Sequence, residues 1–361
     1  MDQAGRLGVL QAAQGIEDDS VSSKASASIT QQSLFEFEDT PVEPRWVRVD
    51  TNAVRVENSR SFGGPWLALQ LIEKLKLDEF LNKQLPKGKE HIQWSITAMI
   101  LVIARLLDPS SELYISEQWY PKTALPDLLG VPADRVDDNR LYRALDELLP
   151  HKEALEIHLK NRMGELFDIE YDLLLYDVTS TFFEGQCLAN PLAKRGYSRD
   201  QRGDCKQVCI ALVVTRCGMP LGYEVFAGNT ADVTTVKGIV EMMDIQLTEA
   251  EDAFRIQKSD LSIRPVWHQK EDRVRAHIFV CFLSFVLWKT LGQQCKRAGL
   301  GDEPRRVISE LSEIRMVDVV LPTDSGHEIR NRCVARPTEH QRILIDKLGL
   351  RLPTRIRMGK M

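Results

Sequence analysis

No C-x-x-C pair, no basic-then-apolar leader at the N-terminus and no apolar run long enough for a bilayer occur in this chain of 361 residues. Its seven cysteines are an odd number, and without close pairs they indicate neither a disulfide framework nor a standard zinc site. Cys205 and Cys209 are four apart, which on a strand makes them small core residues of one sheet face rather than metal ligands. The longest apolar stretch, Ile278 to Trp288, falls short of the ~20 residues of a spanning helix and reads as a buried core helix. With no signal-peptide order, the expected location is cytoplasmic, with no membrane partner. Also missing are G-x-x-x-x-G-K-[ST], G-x-G-x-x-G, H-E-x-x-H and G-x-S-x-G, which disfavours the nucleotide-binding, zinc-peptidase and serine-hydrolase chemistries tied to them.

Charge of one sign is not abundant either. The formal net charge of -5 argues against a protein that coats nucleic acid generally. The charges are segregated, however: residues 1–60 hold ten acids and six Lys or Arg, whereas residues 254–300 hold nine Lys or Arg and three acids. Screening limits exposed charges to about 8–10 Å, so a locally basic segment can track phosphates inside an acidic protein, or serve as a solvated face.

Leu173, Leu174 and Leu175, followed by Tyr176, Asp177, Val178 and Thr179, read as a buried strand carrying a carboxylate near its end. An ionised carboxylate there needs a partner, either a divalent cation or neighbouring backbone N–H groups. Two β-rich runs, 208–214 and 221–226, joined through Arg216-Cys217-Gly218-Met219-Pro220, predict a hairpin. Gly228-Asn229-Thr230-Ala231-Asp232 then leads into a helix marked by Val236, Ile239, Val240 and Met243, with Asp232 or Thr234 as N-cap. Strand, hairpin and capped helix form a ribonuclease-H-like opening.

Tyr176-Asp177-Val178-Thr179, Arg195-Gly196-Tyr197-Ser198, Gly228-Asn229-Thr230-Ala231-Asp232 and Glu251 to Ser259, followed by Ile263 to His268, together resemble a bacterial insertion-sequence transposase of the DDE type. The likeness is to the branch with a tyrosine, arginine, glutamate, lysine signature, and it covers most of the chain from about Arg60. It implies Asp177 and Glu251 as catalytic residues and ligands of Mg2+ (or Mn2+). It implies DNA as partner, at the transposon terminal inverted repeats, and a homo-oligomer. On the helical wheel, Glu251 falls in the apolar stripe with Leu247, Ala250, Phe254 and Lys258, and it precedes Lys258 by the spacing of that signature; Glu249 is the competing acid.

The basic residues Lys194, Arg195, Arg199 and Arg202 flank Tyr197 in a loop before the hairpin, and Arg255, Lys258 and Arg264 follow Glu251. Cations neutralise the DNA backbone and an aromatic can stack on a base, so these seven are the candidate DNA-binding residues; a merely solvated loop is the other reading. Arg273 and Arg275 sit at the start of a long helix from Glu271 to Leu291, where the helix dipole does not favour them, which fits a binding role.

The expected fold is α+β or α/β, an N-terminal helical domain followed by a truncated ribonuclease-H-like domain. Its expected parts are a disordered leader (1–43), a helical domain for DNA ends (44–168), the truncated catalytic domain (169–300) and a small extension (301–361). Within the helical part, Trp66 to Leu75 and Ile96 to Leu106 mark two helices, Asp138 caps a third and Leu155 to Leu166 make a fourth. The truncation concerns the second catalytic Asp. In the family that Asp ends a further strand, followed by a β-rich insertion before the glutamate helix, whereas here the helix through Met243 runs straight into Asp244 and Glu251. The signature tyrosine and arginine would fall at Asp244 and Leu247, so both are substituted. The expectation is a transposase by descent with an incomplete triad. The alternatives are a catalytically dead protein on transposon ends, or a metal-dependent nuclease using Asp177, Glu184 and Glu251.

Overall fold

The structure is a computed structural model that describes residues 47–85, 92–169, 174–197, 202–230 and 254–354, with the side chains of 174–177 left out. Helices and two three-stranded antiparallel sheets make an α+β fold. The N-terminal helices are α1 (Gly63–Lys74), α2 (Leu77–Gln84), α3 (Trp94–Leu107), α4 (Asp138–Leu148) and α5 (Lys152–Phe167). Their apolar residues recur at helical spacing and are buried, as with Trp66, Leu69 and Ile72 in α1. Asp108 ends α3 immediately before Pro109, which disfavours helical geometry in the residue preceding it. The cap of α4 is Asp137, whose carboxylate accepts from the Arg140 N–H at 2.8 Å, one residue before the expected Asp138.

The first sheet runs β1 (Arg55–Ser61), β5 (Arg315–Pro322), β6 (Glu328–Val334), joining the two ends of the described chain. Charge pins it to the helices. Arg332 grips Asp318 through two nitrogens, at 2.7 and 3.0 Å, and also pairs with Asp127, while Arg60 reaches the same Asp127 at 2.6 Å. All four side chains are largely shielded from water, which is where ion pairs count for more than on an open surface.

The second sheet runs β2 (Leu174–Phe182), β3 (Gln207–Thr215), β4 (Pro220–Ala227). The β-branched, almost wholly buried β3 is the central strand, and its hairpin with β4 turns through the expected segment. Behind this sheet lies α6 (Glu271–Arg297), the expected backstop. Tyr223 of β4 packs on Phe279 and Phe282 of α6, ring centroids 6.2 and 5.2 Å away. The same helix touches α3, where the Ser284 hydroxyl donates to the Val102 carbonyl at 2.9 Å. One helix therefore supplies core to both the N-terminal helices and the sheet. By length and composition α6 could cross a membrane, but 94% of its most apolar window is buried inside the protein. Two short elements, α7 (Pro304–Ser312) and α8 (Glu339–Lys347), flank the first sheet in the chain.

Candidate functional site

The register of the second sheet decides which sequence motifs meet. Asp177 lies opposite Leu212 and Phe182 opposite Gln207, so β2 continues five residues past Asp177, roughly 16 Å of extended chain. Asp177 is therefore a mid-strand residue and not at the strand end; its side chain lies outside the described residues. What gathers at the end of the sheet is the close of β2, the start of β3 and the close of β4.

Gln207, 1% exposed, is the organiser of that end. Its backbone exchanges hydrogen bonds with Lys194 at 2.9 and 3.2 Å, and its side-chain amide donates to the carbonyls of Tyr197 (2.8 Å) and Gly228 (2.9 Å). The Gly228 N–H in turn donates to the Leu192 carbonyl at 3.0 Å. Backbones approach so closely here that a Cβ on Gly196 would lie 2.0 Å from the Gly228 carbonyl oxygen, and one on Gly228 2.0 Å from the Gln207 carbonyl oxygen. Only glycine fits at either position without displacing main chain. The Arg-Gly-Tyr and Gly-Asn-Thr motifs, separated by a whole hairpin in sequence, are thus one backbone junction.

The basic loop around it is partly free for a partner. Lys194 and Arg195 are exposed and Tyr197 is 87% exposed. Arg202 is engaged, gripping Asp204 at 3.0 and 3.1 Å and stacking over the Phe182 ring at 4.7 Å. That pairing holds the Asp204 carboxyl down to about 2, through the Arg202 hydrogen bond first and then the Cys205 thiol. Cys205 precedes β3 instead of sharing its face with Cys209. Arg199 and Glu251 lie outside the described residues. Of the remaining cations, Arg255 is exposed and Lys258 half-buried on the helical residues 254–259, and Arg264 is half-buried further along.

Beyond β2, Phe183 bridges Val266 in parallel: the Glu184 N–H donates to the Val266 carbonyl at 3.1 Å and Val266 N–H to the Phe182 carbonyl at 2.9 Å. Segment 264–269 so meets the outer edge of β2, bringing Glu184 to the same end of the sheet. Arg273 and Arg275 need no DNA to explain them. Arg275 pairs with Glu271 at 2.9 Å, and Arg273 lies over the Tyr142 ring and 3.5 Å from Asp146.

A second polar cluster has no counterpart in the sequence reading. Glu112, the first helical residue after the cap Ser111, pairs with His268 at 3.3 Å, both side chains almost fully buried. Burial pushes the Glu112 carboxyl up, but the His268 hydrogen bond and charge, helped by backbone N–H and Arg105, outweigh it and leave the carboxyl below its usual range. His277 stacks obliquely on His268 at 5.2 Å and is held well below an ordinary imidazole, chiefly by burial, then by Arg105 and His268. Arg105 can only donate, so the His277 Nδ1 3.5 Å from it accepts. Glu112 lies far along the chain from His268 and His277, so no spacing in the sequence announces this cluster. Among the described residues no three His, Cys, Asp or Glu side chains are grouped to hold a metal ion.

A family model described as a domain of unknown function, DUF4277, matches residues 67–157. The matched stretch runs from α1 into α5 and includes Arg105, Glu112 and Tyr142. No curated protein and no solved structure matches the chain.

Proposed function

We propose that the chain is a transposase by descent that holds the terminal inverted repeats of an insertion sequence and is defective in Mg2+- or Mn2+-dependent strand cleavage. The observation that carries this reading is the junction at Gln207, where two motifs of the resemblance, distant in sequence, share one set of hydrogen bonds below exposed Lys194, Arg195 and Tyr197. Cations and an aromatic on a loop with an anchored base suit a phosphate backbone with a reachable base. The DUF4277 domain, known in transposase-like proteins, agrees with that descent.

The cleavage defect follows from chain length. Two-metal phosphoryl transfer needs carboxylates bridging ions about 3.5–4 Å apart. Asp177 and Glu251 are the acids the resemblance supplies, and the second Asp would have to come from residues 231–253. A helix of average length, about 11–12 residues, and a strand of about five would fill most of that stretch before any insertion or the turn carrying Glu251. Among the described residues the outer edge at the close of β2 meets Val266 and no further strand pairs with β2, which fits the same loss.

A mobility shift on terminal-repeat DNA tests the binding half. Reversing charge at Lys194 and Arg195 together should weaken the complex about tenfold or more and flatten its salt dependence by about two phosphate contacts. An unchanged shift would remove the loop from the reading. Glu184, fixed at the same sheet end, keeps a metal-dependent nuclease as the second reading; plasmid nicking abolished by Asp177→Ala would favour it.

A further inference from the structure

Four helices end around one cavity. The C-terminal ends of α1, α5, α6 and α8 contribute Lys74, Leu166, Phe167, Gln294, Arg297 and Lys347 to a pocket of about 220 Å³, and none of the described residues lining it is acidic. Helix C-termini carry unpaired carbonyls, which favour cations. That accounts for two arginines: Arg162 donates to the Lys74 carbonyl at 3.0 Å and Arg297 to the Leu166 carbonyl at 2.8 Å. Arg162 also has a carboxylate, Glu165 at 2.7 Å, whereas Arg297 has only that carbonyl and the Phe167 ring, 5.1 Å away.

The helix ends do not account for Lys74 and Lys347. Neither ammonium forms a hydrogen bond or an ion pair among the described residues. Lys74 is half-buried, and its pKa is lowered by burial first and then by the Arg297 and Arg162 charges, with no acid offsetting them. Three cations, Lys74, Arg297 and Lys347, thus share a small cavity without a counter-charge. Like charges held together away from bulk water repel, and an anion bound between them removes that repulsion. Gln294, 8% exposed, also lines the cavity, and its amide nitrogen has no acceptor among the described residues. A buried donor left unpaired is costly, so the same guest serves it.

The size limits the guest. Drug-sized ligands fill pockets of about 300–1,000 Å³, so this one admits a single anionic head group and leaves whatever carries it outside. We propose that this cavity binds a phosphate group, with Lys74 and Lys347 as its ammonium contacts and Arg297 and Gln294 as further N–H donors. The several oxygens of a phosphate can face all three cations at once, which the two of a planar carboxylate cannot. The same chemistry could come from a free phosphate compound or from the sugar-phosphate backbone of DNA. Gln293 donates to the Cys217 carbonyl in the β3–β4 turn at 3.4 Å, so the cavity lies towards the opposite end of the second sheet from Gln207 and its basic loop. The inference does not rest on the transposon-end reading, because inorganic phosphate alone tests it.

The experiment is calorimetric titration of the full chain at pH 7 with inorganic phosphate, repeated in Lys74→Gln and in Lys347→Gln. Saturable one-to-one binding is expected, weakened about threefold or more in Lys347→Gln and about tenfold or more in Lys74→Gln. If Lys74→Gln does not fold, the exposed Lys347 carries the test, and Lys347→Glu should abolish binding. Mobility shifts on a duplex of arbitrary sequence then give the source. A salt dependence flatter by about one phosphate contact in Lys347→Gln assigns the cavity to the DNA backbone, and unchanged duplex binding assigns it to free phosphate compounds. No saturable phosphate binding, binding that neither variant weakens, or binding lost instead on charge reversal at Lys194 and Arg195 overturns the proposal.

Discussion

The amide of Gln207 donates to the carbonyl of Gly228 at 2.9 Å and to that of Tyr197 at 2.8 Å, so one buried side chain ties the basic loop to the far end of the hairpin. Gln207→Leu keeps the volume and removes both donors. Each lost bond is worth about 0.5–1.5 kcal/mol, so a loss of about 1–3 kcal/mol is expected. Hydrogen exchange should rise in the loop around residues 194–197 and at 228, which a stability loss spread over the whole chain would not single out.

Gly196→Ala tests the close approach itself. The new methyl would meet the Gly228 carbonyl at 2.0 Å, and backbone cannot yield as a flexible side chain does. Overpacking of this kind costs about 1–3 kcal/mol, and limited proteolysis should cut first among Lys194, Arg195 and Arg202. A melting curve matching that of the unaltered protein would contradict the junction.

His277 gives the fold a pH dependence of known sign. Burial, then Arg105 and His268, depress its folded pKa below the unfolded value of about 6.5. The unfolded chain therefore binds a proton first, and stability present above pH 6.5 is lost as pH falls towards the folded value. About 1 kcal/mol should disappear between pH 7 and pH 5.5 by urea denaturation, and His277→Asn should remove that slope. Glu112 is also depressed, but its contribution is lost only at lower pH, below about 4.3.

Asp318→Asn breaks the two-nitrogen grip of Arg332 and its link towards Asp127 and Arg60. Stripping one partner from a shielded network should cost about 2–4 kcal/mol, measured as a lowered denaturation midpoint with unchanged slope.

The elements legible in the sequence are those whose burial is periodic. Trp66, Leu69 and Ile72 announce α1, the β-branched run 208–214 announces β3, and the apolar middle of α6 announces a core helix. The strand β1 could not be read, because Arg-Val-Glu-Asn-Ser-Arg-Ser has one apolar residue and exists by pairing with β5 from the other end of the chain. Arg273 and Arg275 looked like binding residues from helix position alone, yet contacts with Glu271, Tyr142 and Asp146 occupy them. Gln207 gave no signal as a lone polar residue at a strand start. Glu112, His268 and His277 gave none because only the tertiary fold makes them neighbours.

The most direct measurement is to incubate the full chain with labelled terminal-repeat DNA in Mg2+ or Mn2+ and read binding and strand cleavage from the same samples. The account predicts a retarded complex whose DNA stays uncut. Cleavage at the transposon end that disappears in Asp177→Ala would contradict it.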